Sequence, residues 1–250
     1  MTEPTSSGAN ADLSPADASP AASTPASASV WEDFIDIFYA PSAVFARRIN
    51  SGFFVPMLVV VVVVVALFFV NSAVWGPVTD AEMTRALAKR PNITPEQIEA
   101  ARKMGPTFNK IAVVIGTPIA IFVTGLALWV VGKFFEAKQT LGQAVMVASY
   151  ASMPRIVEGV VTSVQGLLLD PAQFTGRWRA SIGLGRFLDP DTASPMLVGL
   201  LGRVDVFTIW ITVLLVIGLS VTGKIPRAKA AIAGVIVWFL GAVPLLLQAR

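Results

Sequence analysis

One apolar segment of this chain carries charged residues close to its centre. Residues 141–170 are long enough to cross a bilayer, and they contain Pro154, Arg155 and Glu158 with apolar residues on both sides. A charge at that depth costs roughly 2.5–3.5 kcal/mol on insertion scales, so it needs a partner, a water-filled cavity or a route to the surface. Because Arg155 and Glu158 are three residues apart, they share one helical face and can form a charge-assisted pair. Pro154 removes a backbone hydrogen bond, which predicts a kink in the helix.

The chemistry of this pair allows two interpretations. Arg155 and Glu158 either neutralise each other and lock helix packing, or they line a polar site that serves a ligand or a solute. Catalysis by paired carboxylates is not favoured, because Glu158 is the only carboxylate deep in an apolar segment and a second acid is missing. The two remaining interpretations differ in one observable feature, since a permease needs a water-accessible cavity that reaches Arg155.

The composition defines the class of protein. The 250 residues are 54% hydrophobic and only 14% charged, with a mean hydropathy of +0.69, which is typical of a polytopic membrane protein. The chain has no histidine and no cysteine. Disulfides, thiolate nucleophiles, haem attachment and imidazole metal sites are therefore excluded. We expect a protein that is not an enzyme and that has no cofactor and no metal site.

The apolar segments predict an all-α fold with five transmembrane helices. A bilayer core about 30 Å thick needs about 20 apolar residues per helix, and irregular backbone is too costly in lipid to compete with helix. The predicted spans are residues 53–75, 111–131, 142–169, 206–222 and 230–248. Small residues within them, such as Gly116, Gly125 and the row Ala144, Ala148 and Ser152, favour close helix packing. We take residues 31–250 as one membrane domain.

The N-terminal region has two parts. Residues 1–30 consist almost wholly of Ala, Ser, Thr, Pro and Gly with few acids, so we expect a disordered tail. A short amphipathic helix should follow, and Pro41 should end it and open a second helix that is flanked by Arg47 and Arg48. The segment either lies in the headgroup layer or simply leads into the first span. Its candidate interfacial residues are Trp31, Phe34, Phe38, Pro41 and Phe45.

The polar stretch 76–110 predicts a small helical hairpin outside the bilayer. Thr79 with Glu82 and Thr94 with Gln97 both match the capping box that starts a helix. Pro91 should end the first helix, and residues 105–106 (Gly-Pro) should end the second. A DNA-binding role is not favoured, because the hairpin is tethered between two spans and carries four acids among its bases. We expect no nucleic acid as a partner.

Several short motifs resemble one membrane-protein family. They are Gly-Lys at 132–133, Gln-Ala-Val at 143–145, Ser-Tyr-Ala-Ser-Met-Pro at 149–154, Phe-Tyr-Ala-Pro-Ser-Ala-Val-Phe at 38–45, Asp-Val-Phe-Thr-Ile-Trp at 205–210, Ile-Gly-Leu at 217–219 and Lys-Ala at 229–230. Over residues 34–247 the chain is similar to the bacterial branch of the Yip-one domain family, the five-span Ypt/Rab-interacting proteins. The resemblance implies five helices, a cytoplasmic N-terminus and no enzymatic activity. The motifs of the Rab-binding eukaryotic branch are not recognisable.

Charge around the first span indicates the same orientation. Arg47 and Arg48 lie within six residues of its start, whereas residues 76–84 contain no base, which favours a cytoplasmic N-terminus. We expect a non-enzymatic scaffold in a bacterial inner membrane that contacts the lipid bilayer and, in the membrane, a protein partner. The alternative is a small permease with its polar site at Arg155 and Glu158. The sequence does not define an oligomeric state.

Overall fold

In the part of the chain that the structure describes, helices make up about 80% of the residues and no strands are present. The structure is a computed structural model that describes residues 29–90, 92–173, 176–189 and 191–243. The predicted disordered tail, residues 1–30, lies almost wholly outside the described residues. The helices are α1 (Val30–Tyr39), α2 (Pro41–Arg47), α3 (Phe54–Val70), α4 (Ser72–Ala88), α5 (Pro95–Phe134), α6 (Leu141–Ala151), α7 (Pro154–Leu168), α8 (Arg177–Ala180), α9 (Pro195–Gly202), α10 (Val206–Gly223) and α11 (Arg227–Leu240).

Capping boxes begin three of these helices. Ser29, Thr94 and Thr140 start α1, α5 and α6 respectively, and each pairs reciprocally with a Glu or Gln three residues later. The predicted helix start at Thr79 is wrong. Residue 79 lies inside α4, and its hydroxyl donates to the carbonyl of Trp75 at 2.7 Å. The apolar residues before Thr79 continue the helix, so the hydroxyl is not needed as a cap.

Among the described residues there are three candidate membrane spans. There are four when a bent pair of helices is counted as one span. Pro95–Phe134, Leu141–Leu168 and Val206–Gly223 are long and apolar enough to cross. The predicted span 53–75 is bent by 79° between α3 and α4. The bend follows Asn71, which is buried and donates its side-chain amide to the carbonyl of Gly159 at 2.9 Å. A polar side chain that bonds to a neighbouring helix therefore marks the bend.

The helix α5 is longer than the sequence predicted. Gly105 and Pro106 were expected to end a short hairpin helix, but α5 runs through both residues and through Pro118 to Phe134. The prediction was wrong because each proline removes only one backbone hydrogen bond, whereas ending the helix exposes several. A packed pair of helices is still present, since Asn109 of α5 donates to the Thr79 hydroxyl of α4 at 3.1 Å.

The core of the bundle surrounds α6. Every residue from Ala144 to Ala151 is buried, between α5 on one side and α10 and the N-terminal helices on another. Gly125 of α5 allows the closest approach, because a Cβ built there would lie 2.6 Å from the Val145 Cα. Helix crossings at this separation require glycine.

One end of the bundle is closed by hydrogen bonds around a buried glutamine. Gln139 precedes α6, donates to the Leu128 carbonyl at 3.3 Å and accepts from the Thr222 hydroxyl at 2.9 Å. The backbone N–H of Lys138 donates to the Gly223 carbonyl at 2.9 Å. These bonds fix the connection between α5 and α6 against the end of α10.

Candidate functional site

The helix is interrupted next to Pro154, where the third apolar segment changes from α6 to α7 and a kink is predicted. Pro154 is the first residue of α7, after a break at residues 152–153. Arg155 and Glu158 form the ion pair that their spacing predicts, with 2.7 Å between Arg155 Nη1 and Glu158 Oε2. Their side chains are 44% and 27% exposed respectively. The two charges therefore face open space and are not sealed in the core.

Polar groups from three other segments lie around this pair. Asn71 comes from the bend between α3 and α4 and bonds to Gly159 of α7. Asp205 is the N-cap of α10 and accepts from the backbone N–H groups of Phe207 and Thr208, each at 2.9 Å. A carboxylate at the start of a helix is stabilised by these donors and by the helix dipole.

Arg203 joins the same region to the end of the last described helix. Its guanidinium donates to the carbonyls of Trp238 and Gly241, at 2.8 and 3.0 Å. Its Nε is buried and has no hydrogen-bond partner among the described residues. Burial and the neighbouring Arg155 lower the pKa of Arg203, and Asp205 opposes this effect. The region around Arg203 therefore has slightly more positive than negative charge.

These groups line a cavity of about 380 Å³. Its charged lining residues are Arg155, Arg177, Arg203, Glu158 and Asp205, so positive charge exceeds negative by one. The aromatic side chains of Phe68, Trp75 and Trp178 form part of the remaining wall. The arrangement combines fixed charges with apolar surface, which is typical of a ligand site.

We expect the Arg155–Glu158 pair to contribute little to stability. Arg155→Gln and Glu158→Gln should each lower the free energy of unfolding by about 0.5–1 kcal/mol, because both side chains are partly exposed. Unfolding by SDS titration in mixed micelles measures the two single changes and the double change. A coupling energy of several kcal/mol would contradict this expectation and would make the pair a buried packing element.

A second polar cluster joins α1 and α2 to Tyr150 of α6. Asp33 of α1 is fully buried and binds Arg47 Nε at 2.5 Å, the Arg48 guanidinium and the Tyr150 hydroxyl, which donates to it at 3.3 Å. Asp36 also binds Arg47. The helices α1 and α2, joined by a single residue, therefore form a hairpin that is held to itself and to α6 by charge.

The five predicted interfacial residues do not share one environment. Trp31 is 71% exposed, whereas Phe34 and Phe38 are half-buried and contact the rings of Tyr150 and Trp210, with centroids 5.9 and 5.3 Å apart. Pro41 is the first residue of α2, and Phe45 is fully buried in the core. Phe45 therefore contacts protein, and the interfacial position of the segment stays a prediction.

The predicted apolar face of α1 was partly wrong. Asp33 and Ile37 are buried, whereas Trp31, Ile35 and Tyr39 are exposed. The apolar periodicity places Asp33 on the polar face, but the two arginines that follow the turn supply it with partners in the interior. Three acids in one short helix and two adjacent arginines at the end of the next are a signal that could have indicated this hairpin.

Taken together, the long apolar helices and the buried polar groups between them define an integral, helical membrane protein. The family model for the Yip1 (Yip-one) domain matches residues 35–248. The chain therefore belongs to the Yip1 domain family, a family of membrane proteins that is not an enzyme family. Comparison with curated proteins found no match. Comparison with solved structures also found none.

Proposed function

We propose that this protein is a non-enzymatic scaffold that organises lipid or a protein partner, with the α1–α2 hairpin at the headgroup layer. One observation carries the proposal. The hairpin is fixed to the bundle through Asp33, and it exposes the apolar row Trp31, Ile35 and Tyr39, which are 71%, 64% and 83% exposed. A rigidly held helix with an apolar outer face is suited to lie between headgroups and acyl chains.

We further propose five spans with a cytoplasmic N-terminus in a bacterial inner membrane. The fifth span would include most of α11, whose residues 230–240 belong to the apolar segment 230–248. Arg47 and Arg48 support the orientation, because the positive-inside rule counts bases near the first span and gives little weight to the acids that bind them. Both proposals agree with the resemblance to the bacterial Yip-one branch.

A permease remains the alternative, and the cavity at Arg155 is the observation that supports it. A transport path would also have to pass the level of α6, where residues 144–151 are buried against α5 and α10. The dense packing around α6 supports a ligand pocket inside a scaffold more than a path across the membrane. We therefore keep the scaffold as the proposed function.

Reconstitution of the full chain in sealed vesicles of mixed diameter tests the proposal. An interfacial helix binds more strongly where headgroup packing is loose, so we expect the protein to be enriched about twofold or more on small vesicles, without leakage of entrapped solute. Trp31→Ser with Ile35→Ser should abolish the enrichment. The matched control is Leu167→Ser with Leu168→Ser, an equally exposed apolar pair at the end of α7.

The two hypotheses give different results in the same vesicles. Equal enrichment of the wild type and the Trp31/Ile35 variant would contradict a role of α1 at the headgroup layer. Solute flux that disappears with Arg155→Gln, while the folded protein remains in the vesicles, would contradict the scaffold and support the permease.

A further inference from the structure

A second, larger cavity adjoins the one at Arg155. It has a volume of about 1040 Å³ and lies between α4, α5, α8 and α9. The two cavities share Phe68, Trp75, Val113, Arg177 and Trp178 in their walls. The space is therefore open on one side to the surface and bounded on the other by the aromatic wall of the Arg155 cavity.

The polarity of the residues that line the larger cavity changes along α4. Near the start of α4 the wall is formed mainly by the apolar residues Phe68, Trp75, Val78 and Val113, together with Thr79 and Asn109, which are hydrogen-bonded to each other. Near the end of α4 it is formed by Arg85, Lys89 and Arg90. At a rise of 1.5 Å per residue, the 14 residues from Trp75 to Lys89 cover about 21 Å. An elongated molecule with one apolar and one charged end matches this gradient.

The charges at the polar end are predominantly positive. Arg85, Lys89, Arg90 and Arg179 line the cavity, Arg177 lies in the wall shared with the smaller cavity, and among the described lining residues Glu82 is the only carboxylate. Glu82 accepts from the backbone N–H and the Nε of Arg177, at 2.9 and 3.0 Å, and Arg85 binds Asp191 at 2.6 Å. Lys89, Arg90 and Arg179 are exposed at the rim. They are in position to bind an anion from outside.

We propose that this cavity binds one anionic amphiphile through its phosphate group, with its apolar chain against Phe68 and Trp75. A phospholipid headgroup and free phosphate both present a phosphate group. The apolar end of the cavity favours a membrane phospholipid over free phosphate as the ligand. Lipid binding in this cavity is separate from the proposed scaffold function. Lipid binding depends on α4 and α5, whereas the scaffold function depends on α1.

Native mass spectrometry of the full chain from neutral detergent tests the proposal. The probes are phosphatidylglycerol, phosphatidylcholine with the same chains, and inorganic phosphate. We expect one phosphatidylglycerol to stay bound, at least tenfold more tightly than phosphatidylcholine. Each base near an anionic lipid contributes about 1 kcal/mol, so Lys89→Gln with Arg90→Gln should weaken this binding about 30-fold.

Two further variants separate a specific site from general attraction. Arg102→Gln with Lys103→Gln removes the same charge from exposed positions of α5 that do not line the cavity, and it should leave the affinity unchanged. Ala86→Trp fills the cavity from an exposed position in its wall and should abolish binding while all bases remain.

Four results would overturn the proposal. Equal binding of phosphatidylglycerol and phosphatidylcholine would show that charge is not recognised. An equal loss in the Arg102/Lys103 control, or none in Ala86→Trp, would show that the lipid binds elsewhere. Displacement of phosphatidylglycerol by inorganic phosphate at similar concentration would assign the site to the free anion.

Discussion

Replacing Asp33 by alanine should lower the free energy of unfolding by about 3–5 kcal/mol, because the change leaves two arginines without their buried partner. Asp33 is fully buried, and Arg47 and Arg48 both bind it. The α1–α2 hairpin should therefore separate from α6 before the rest of the bundle unfolds. The absence of cysteine from the chain allows a clean measurement. A thiol introduced by Val44→Cys, at a fully buried position, should react much faster with a maleimide in the Asp33→Ala background.

Asp36 provides the matched control for this experiment. It also binds Arg47, but its side chain is 39% exposed, so Asp36→Ala should cost no more than about 1 kcal/mol. Equal and small effects of the two aspartate changes would show that the buried cluster does not hold the hairpin.

Gly125→Leu should destabilise the bundle by more than the roughly 1–3 kcal/mol that is usual for overpacking, because the added atoms meet backbone and not a flexible side chain. A Cβ at position 125 would lie 2.6 Å from the Val145 Cα and 2.9 Å from its backbone nitrogen. The helices α5 and α6 must therefore move apart, and the buried α6 loses contacts along its length. SDS titration of the purified protein measures the loss, and Gly125→Ala should give a smaller loss of the same sign.

Gly116 is the control for this change, in the same helix. A Cβ there meets no atom within 4 Å, so Gly116→Ala should cause no loss of stability and can raise it through helix propensity. If both alanine variants unfold alike, the close crossing at Gly125 does not determine the packing of α5 on α6.

These two glycines also show which features of the packing the sequence could predict and which it could not. Composition identifies both as small residues in a span, but only the three-dimensional arrangement shows that Gly125 faces α6 and Gly116 does not. The helix interruption at Pro154 and the pair of Arg155 with Glu158 were predictable, because both arise from residues within four positions of each other. Rules for residues that are close in the chain predict such features, and no knowledge of the neighbouring helices is needed.

The polar contacts that sequence reasoning missed involve partners distant in the chain. Asp33 depends on Tyr150, Asn71 on Gly159, and Arg203 on carbonyls at the end of α11. In each case a polar side chain in an apolar setting was a visible anomaly, but its partner was not. The continuous α5 was missed for another reason, since Gly105 and Pro106 are helix-ending signals in water and the packing against α4 outweighs them.

The length of α5 has a mechanical consequence. Its 40 residues extend over about 60 Å, twice the thickness of the bilayer core. The first half of α5 is bonded to α4 through Asn109, beside the larger cavity, and the Leu128 carbonyl near the C-terminal end of α5 accepts from Gln139. A change in the tilt of α5 at one face of the membrane is therefore transmitted to the opposite face by one continuous helix. Pro118 lies between these two contacts and is the point at which bending would absorb that motion before it reached the second contact.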